Sequence, residues 1–332
     1  MWRQQEVKAS WLKSSSLILA ATTLLCFLAS CTSQTPEGTP TPESIPAVHE
    51  IRTLDHDGRE RTYLLHVPDG LHENEPVPLV FAFHGGGGNG SGMNGLTRFD
   101  RLADREGFIA VFPDGVGNSW NDGRQNLASE AYLLNVDDVG FVDAIMETIS
   151  LEFPVDRKMI YATGISNGAI FSHFLAAQRA STFAAIAPVV GGLAIPFSER
   201  FTPDGTVSVL IIQGTADPLV PYNGGQIAGG NRGAIISTDD TVELWVQNDG
   251  CNNMPLIEEL PNSDLNDGCL VTQYTWSNGH ADSAVVLLKI EGGGHTWPGG
   301  VQYLPESVIG RVCNDFAATE VIWSFFKDHP KQ

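Results

Sequence analysis

Tyr161-Ala162-Thr163-Gly164-Ile165-Ser166-Asn167-Gly168 is the stretch whose reading decides the fold. Ahead of it, Lys158 to Ala162 holds Met159 and Ile160 beside Tyr161, a short apolar run suited to a buried strand. After it, Ala169 to Gln178 is rich in helix formers and sets Ile170, Phe174 and Leu175 on one helical face. Gly-x-Ser-x-Gly between strand and helix is the sequence of a nucleophile elbow, a sharp turn that lifts a serine hydroxyl above the end of a sheet. A Cβ at Gly164 or Gly168 would clash where the strand folds back on the helix. The same five residues could instead be a helix-capping serine in a tight turn, so partners elsewhere in the chain must decide.

Around that centre the composition is ordinary for an α/β domain. The 332 residues are 42% hydrophobic, enough for one sizeable core. A formal charge of −20 argues against nucleic acid or an anionic polymer as partner. Residues 1–30 read as an export signal: Arg3, Lys8 and Lys13 precede an apolar run from Leu17 to Ala29, too short for a membrane span. The run ends Leu28-Ala29-Ser30-Cys31, which resembles a bacterial lipobox with Cys31 as the lipidated residue. An ordinary cleaved signal with an incidental cysteine is the alternative. Residues 31–46 are polar and proline-rich, an expected extended linker that attaches the domain to a membrane through the lipid alone. The catalytic domain is expected over 47–332. Cys251, Cys269 and Cys313 remain in it; Cys251 and Cys269 bracket a Pro/Asn/Asp-rich loop and are the expected disulfide, with Cys313 a buried thiol.

Outward toward the N-terminus, Glu50–Leu54 and Arg61–Val67 read as a hairpin around Asp55-His56-Asp57-Gly58. Leu79–Phe83 is a central strand that empties into His84-Gly85-Gly86-Gly87-Gly88. No Gly-Lys-Ser/Thr follows, so the glycines do not form a phosphate loop. They sit where an oxyanion loop is needed, with the Gly86 N–H joining that of Asn167 and His84 structural. Leu96–Glu106 reads as one amphipathic helix, and Asp137 and Asp138 as caps of the next rather than a metal site. Trp120, in a polar loop, is a candidate for the substrate cleft or for a plug against the core.

Toward the C-terminus, Val207–Gln213 is a strand ending at Asp217, the expected acid. Val285–Ile290 is another, ending on a glycine-lined loop that carries His295. Ser166, Asp217 and His295 thus follow one another in the order of α/β-hydrolases, each past a strand end. The expected fold is accordingly a mostly parallel central sheet with helices on both faces. His295 would take the Ser166 proton while Asp217 holds the imidazole tautomer, and water would then hydrolyse an acyl-enzyme. No His/Cys spacing points to zinc.

From about residue 60 to 326 the chain resembles the secreted polyhydroxybutyrate-depolymerase and feruloyl-esterase group of α/β-hydrolases, which includes acetylxylan esterases. The resemblance rests on His84-Gly85-Gly86, Gly107-Phe108 through Pro113-Asp114-Gly115, Ser119-Trp120-Asn121, and Asp137-Asp138-Val139-Gly140-Phe141. It continues through Gly164-Ile165-Ser166-Asn167-Gly168, Gly214-Thr215-Ala216-Asp217 and Gly293-Gly294-His295-Thr296-Trp297-Pro298-Gly299. It implies a serine carboxylic-ester hydrolase without a cofactor, with Ser166, Asp217 and His295 as its triad. The chain departs from the group at Gly86, where members often have cysteine, at Ala177, and at His280, which stands where a partner for Cys251 is expected.

The favoured substrate is a feruloyl or acetyl ester of plant polysaccharide or its fragments, with Trp120, Tyr222 or Trp297 lining an aromatic slot. A 3-hydroxybutyrate polyester or oligomer is the alternative. A peptidase reading is weakened because the sequence shows no propeller or second domain to gate peptides, and an inactive surface carbohydrate-binding lipoprotein would have no need of all three triad residues.

Overall fold

Continuous apolar runs such as Leu79–Phe83 and Val209–Ile212 bury both faces, which only a sheet covered on two sides can satisfy. The computed structural model describes residues 44–332; the signal segment, Cys31 and the linker as far as residue 43 lie outside the described residues. Among the described residues twelve strands run in chain order: β1 (Val48–His56), β2 (Arg59–Val67), β3 (Val77–Phe83), β4 (Ile109–Pro113), β5 (Val155–Ile165), β6 (Ala185–Val189), β7 (Ser208–Gly214), β8 (Gly225–Gln226), β9 (Ala234–Ile235), β10 (Leu256–Glu259), β11 (Leu270–Trp276) and β12 (Val285–Glu291). All but β8 and β9 join one sheet in the order β1-β2-β4-β3-β5-β6-β7-β12-β11-β10. Every pairing from β4 to β12 is parallel. The β1–β2 hairpin and the β10–β11 pair close the edges antiparallel.

The helices are α1 (Gly90–Thr97), α2 (Phe99–Glu106), α3 (Glu130–Leu133), α4 (Asp138–Glu152), α5 (Asn167–Gln178), α6 (Ile195–Ser198), α7 (Thr238–Asp249), α8 (Glu306–Ile309) and α9 (Ala318–Asp328). The period-two alternation of strand side chains feeds two cores. Leu79, Phe81 and Phe83 of β3 meet α4, α5 and α7 through Phe141, Ile145, Phe171, Leu175 and Trp245. Val80 and Ala82 face the other way, with Phe99 and Leu102 of α2 and Ile322, Trp323 and Phe326 of α9. Each large side chain so buried contributes roughly 2 kcal/mol of transfer free energy. The sequence-expected fold is the observed one.

Three expectations need correction. The helix read across 96–106 is two helices, because Arg98 takes a left-handed conformation (φ 58°) that ends α1 and starts α2. The linker stops short of residue 46: Ser44 bridges to His72, and Ile45 is buried with its N–H on the Leu71 carbonyl at 2.7 Å. A lone isoleucine between polar and proline neighbours carries no periodicity by which to recognise it. Cys251 and Cys269 form no disulfide; all three described cysteines are free. The sheet separates them, for Cys251 belongs to the α4/α5/α7 core and Cys269, with Cys313, to the opposite one. Cys251 instead lies against the Gly279–His280 turn, where a Cβ on Gly279 would come within 2.8 Å of its Sγ.

Candidate active site

The elbow is built as its sequence demands. β5 ends at Ile165 and α5 begins at Asn167, so Ser166 alone makes the turn, with φ 58° and ψ −119°. Such a conformation costs a non-glycine residue on the order of 1–3 kcal/mol and persists only where packing enforces it. The flanking glycines supply that packing. A Cβ on Gly164 would lie 2.5 Å from the Gly168 carbonyl, and one on Gly168 would lie 2.2 Å from the Phe83 carbonyl. The α5 N-terminus leaves unpaired N–H groups beside the serine.

Opposite the elbow, the glycine run after β3 is pinned from several sides. His84 accepts the Gly115 N–H at Nε2 (2.9 Å), so its proton sits on Nδ1, which donates to the Gly85 carbonyl (2.8 Å). Burial holds the His84 pKa below its usual value, which keeps that neutral tautomer. Asn118 accepts the Gly87 N–H at 2.8 Å through its carbonyl and donates its amide to Gly88 at 2.7 Å. Asp114 takes the Gly90 N–H and the Thr62 hydroxyl, both at 2.7 Å. The result lays the loop against the elbow: a Cβ on Gly85 would sit 3.4 Å from Ser166 Cβ, and one on Gly86 3.9 Å from Asn167 Cβ. The Gly87 and Gly88 N–H groups go to the Asn118 and Gly85 carbonyls, while the Gly86 N–H makes no hydrogen bond among the described residues.

Asn167 is held by its side chain as well, through a network the sequence reading missed. Its Oδ1 accepts the Trp120 N–H at 2.9 Å and its Nδ2 donates to Asp122 Oδ2 at 2.6 Å. Asp122 in turn is paired with Arg124 at 2.7 Å, both side chains almost wholly buried. Two oppositely charged residues inside the polar loop 118–124 were the available signal. Asp138 positions the same loop: it accepts the Asn121 N–H (2.8 Å) while paired with buried Arg61 (2.8 Å), so it does more than cap α4, a task left to Asp137.

Asp217 and His295 meet. His295 Nδ1 lies 2.7 Å from Asp217 Oδ2, with both side chains buried. The N–H groups of Leu219 and Val220 fix the other carboxylate oxygen at 2.8 Å each. On the histidine side, the His295 N–H donates to Ile309 (2.5 Å) and the Tyr303 hydroxyl donates to the His295 carbonyl (2.7 Å). The strands ahead of Ser166, Asp217 and His295 are β5, β7 and β12, so all three lie past the same edge of the parallel sheet. A hydrogen bond between Ser166 and His295 is not among those formed by the described residues.

The three aromatic residues expected in a cleft are otherwise employed. Trp120 is fully buried, stacks on Phe171 at 5.1 Å and donates its indole N–H to the His84 carbonyl at 2.9 Å. Trp297 is buried against Phe99 and donates to Thr319 at 3.0 Å. Tyr222 is buried with its hydroxyl on Asp239 at 2.7 Å. Each indole or phenol has a polar partner inside the protein, which loop sequence does not reveal. Half-exposed aromatic residues lie elsewhere, among them Phe174, Phe197 and Phe201, with the Phe174–Phe197 ring centres 4.9 Å apart, and the stacked pair Tyr274 and Trp276.

Residues 61–220, which carry the glycine run after β3, the elbow and Asp217, match the family described as Esterase PHB depolymerase. The putative esterase NocK of Nocardia uniformis subsp. tsuyamanensis is 32% identical over 81% of this chain and 79% of its own. The chain belongs to this esterase family. It is a carboxylic-ester hydrolase on the α/β-hydrolase fold. The probable feruloyl esterase C of Aspergillus niger is 29% identical over 84% of this chain and 86% of its own. Among solved structures, the acetyl xylan esterase from Aspergillus awamori superposes with a TM-score of 0.53 at 17% identity, covering 74% of this chain and 94% of that one, a likeness of fold.

Proposed function

We propose that the protein is an exported serine esterase working through an acyl-enzyme on Ser166. The observation that carries this reading is the buried Asp217–His295 pair at 2.7 Å, past the same sheet edge as a strained elbow serine faced by free amide hydrogens. Asp217 accepts the His295 Nδ1–H, which leaves Nε2 unprotonated and able to take the Ser166 proton. The serine oxygen attacks the ester carbonyl, and the Asn167 and Gly86 N–H groups hold the oxyanion. Imidazolium then protonates the departing alcohol, and water repeats the cycle on the acyl group. Losing one oxyanion donor costs about 3 kcal/mol in such sites.

The substrates we favour are feruloyl or acetyl esters of plant polysaccharide and their fragments. The names of the Aspergillus relatives support this. Polyhydroxyalkanoate oligomers are the second reading, favoured by the family match. The basic-then-apolar N-terminus supports export and a lipid on Cys31. Release of p-nitrophenol from p-nitrophenyl acetate, compared with Ser166→Ala, tests the chemistry. Equal rates would overturn it, and glycan binding untouched by that substitution would indicate the inactive binding protein instead. Relative rates on methyl ferulate, acetylated xylan and 3-hydroxybutyrate oligomers choose among the esters.

A further inference from the structure

Cys269 and Cys313 are far apart in sequence, yet their sulfurs lie within 4.8 Å of each other and of a carboxylate oxygen of Asp267. Both are buried in the core that α1, α2 and α9 share. Cys269 immediately precedes β11, whose first residue pairs with Glu291 at the end of β12. Cys313 ends the segment that returns beneath the histidine loop. Its carbonyl takes the Gly299 N–H at 2.8 Å, while Arg311 and Ile309 take those of Gly294 and His295. Polar contacts already draw the return segment toward the loop ahead of β11. Arg311 Nη1 donates to the Asp267 carbonyl at 3.0 Å, Asn314 N–H to Asp267 Oδ2 at 2.7 Å, and the Ser263 N–H to Asp315 at 2.6 Å.

We propose that Cys269 and Cys313 form a disulfide that fastens the return segment under His295 to the sheet, with Cys251 left as a thiol. The reaction needs a disulfide oxidant, oxidised glutathione or a protein dithiol oxidase. The Cys269 thiolate attacks one sulfur of that oxidant, breaking its bond, forming a mixed disulfide and releasing a thiolate. The Cys313 thiolate then attacks the Cys269 sulfur and expels the second thiolate. Two cysteines thereby lose two protons and two electrons, and the oxidant becomes two thiols. Burial of both sulfurs means that closure precedes the final packing of the loop. The inference stands apart from the ester chemistry, and its failure leaves that reading intact.

The test uses the full chain, once incubated natively with oxidised glutathione at pH 8 and once refolded from guanidinium in the same oxidant. Free thiols are blocked with N-ethylmaleimide in denaturant, then peptides are mapped without reductant. The expected product is a Cys269–Cys313 cross-linked peptide with Cys251 alkylated. Because the bond would close a loop of about 45 residues, adding dithiothreitol should lower Tm by about 5–10 °C. That drop should persist in Cys251→Ser and vanish in Cys313→Ser. Three alkylated cysteines in both preparations, or a disulfide that includes Cys251, would overturn the proposal. So would one equivalent of zinc retained through dialysis and released by a mercurial, since Asp267, Cys269 and Cys313 would then be metal ligands.

Discussion

Replacing Asp122 with alanine should damage stability and catalysis together, for reasons that can be followed atom by atom. Asp122 Oδ2 takes the Asn167 amide at 2.6 Å and the Arg124 guanidinium at 2.7 Å, and the Asp122 and Arg124 side chains are 1% and 4% exposed. Removal leaves the buried Arg124 cation without its carboxylate and the Asn167 amide with only its longer bond to the Trp120 carbonyl (3.3 Å). Breaking a buried pair from one side costs about 3–5 kcal/mol. For a domain of this size that corresponds to a Tm lower by roughly 5–8 °C. Asn167 also carries one of the two proposed oxyanion N–H groups, so loosening its side chain should reduce kcat by roughly 10-fold, less than full loss of a donor would. Removing Arg124 as well should restore part of the stability, because the stranded charge goes with it; a coupling of about 1.5 kcal/mol or more is expected from the double-mutant cycle. Thermal melts and p-nitrophenyl acetate kinetics on the two single variants and the double variant provide the numbers. A Tm within about 3 °C of the parent for Asp122→Ala, with strictly additive losses, would refute this reasoning.

Other substitutions probe neighbouring parts of the account. Asp217→Asn should keep the fold but offer His295 the wrong tautomer, lowering kcat about 10⁴-fold with little change in KM; initial-rate kinetics check it. Tyr303→Phe removes the hydroxyl that holds the His295 carbonyl at 2.7 Å and should cost about 1 kcal/mol in a melt and only a few-fold in kcat. Asp249 is fully buried, with one oxygen lacking a partner, and desolvation pushes its pKa up to about 7. Its folded pKa lies above the unfolded one, so its contribution is full below about pH 4 and is lost as pH rises through 7. Asp249→Asn should therefore raise stability by a few kcal/mol (order of magnitude) at pH 8 and by almost nothing at pH 4, as read from Tm across that range.

The chain order of strands, the elbow and the Asp217–His295 pair were legible because each is written locally. An apolar run, a pair of glycines and an acid or histidine just past a strand end can be read without knowing what lies across the sheet. What escaped was non-local. Trp120 looks exposed among Asn118, Asn121 and Asp122, yet its indole finds the His84 carbonyl and the ring of Phe171, neither of which the loop sequence announces. Cys251 and Cys269 are neighbours along the chain, but the sheet puts them in opposite cores, and the sulfur beside Cys269 comes from the far side of the histidine loop. The Asp122–Arg124 pair was visible as charge in a loop and invisible as a brace for Asn167, because that depends on which face of α5 the loop crosses.

The central claim is that His295 activates Ser166, and a fluorophosphonate probe reads that step directly. Intact-mass and peptide analysis of the labelled protein should place one phosphonyl group on Ser166, with none on Ser166→Ala and labelling at least 100-fold slower in His295→Ala. Labelling of His295→Ala at the parent rate, or a stoichiometric adduct on another residue, would contradict it.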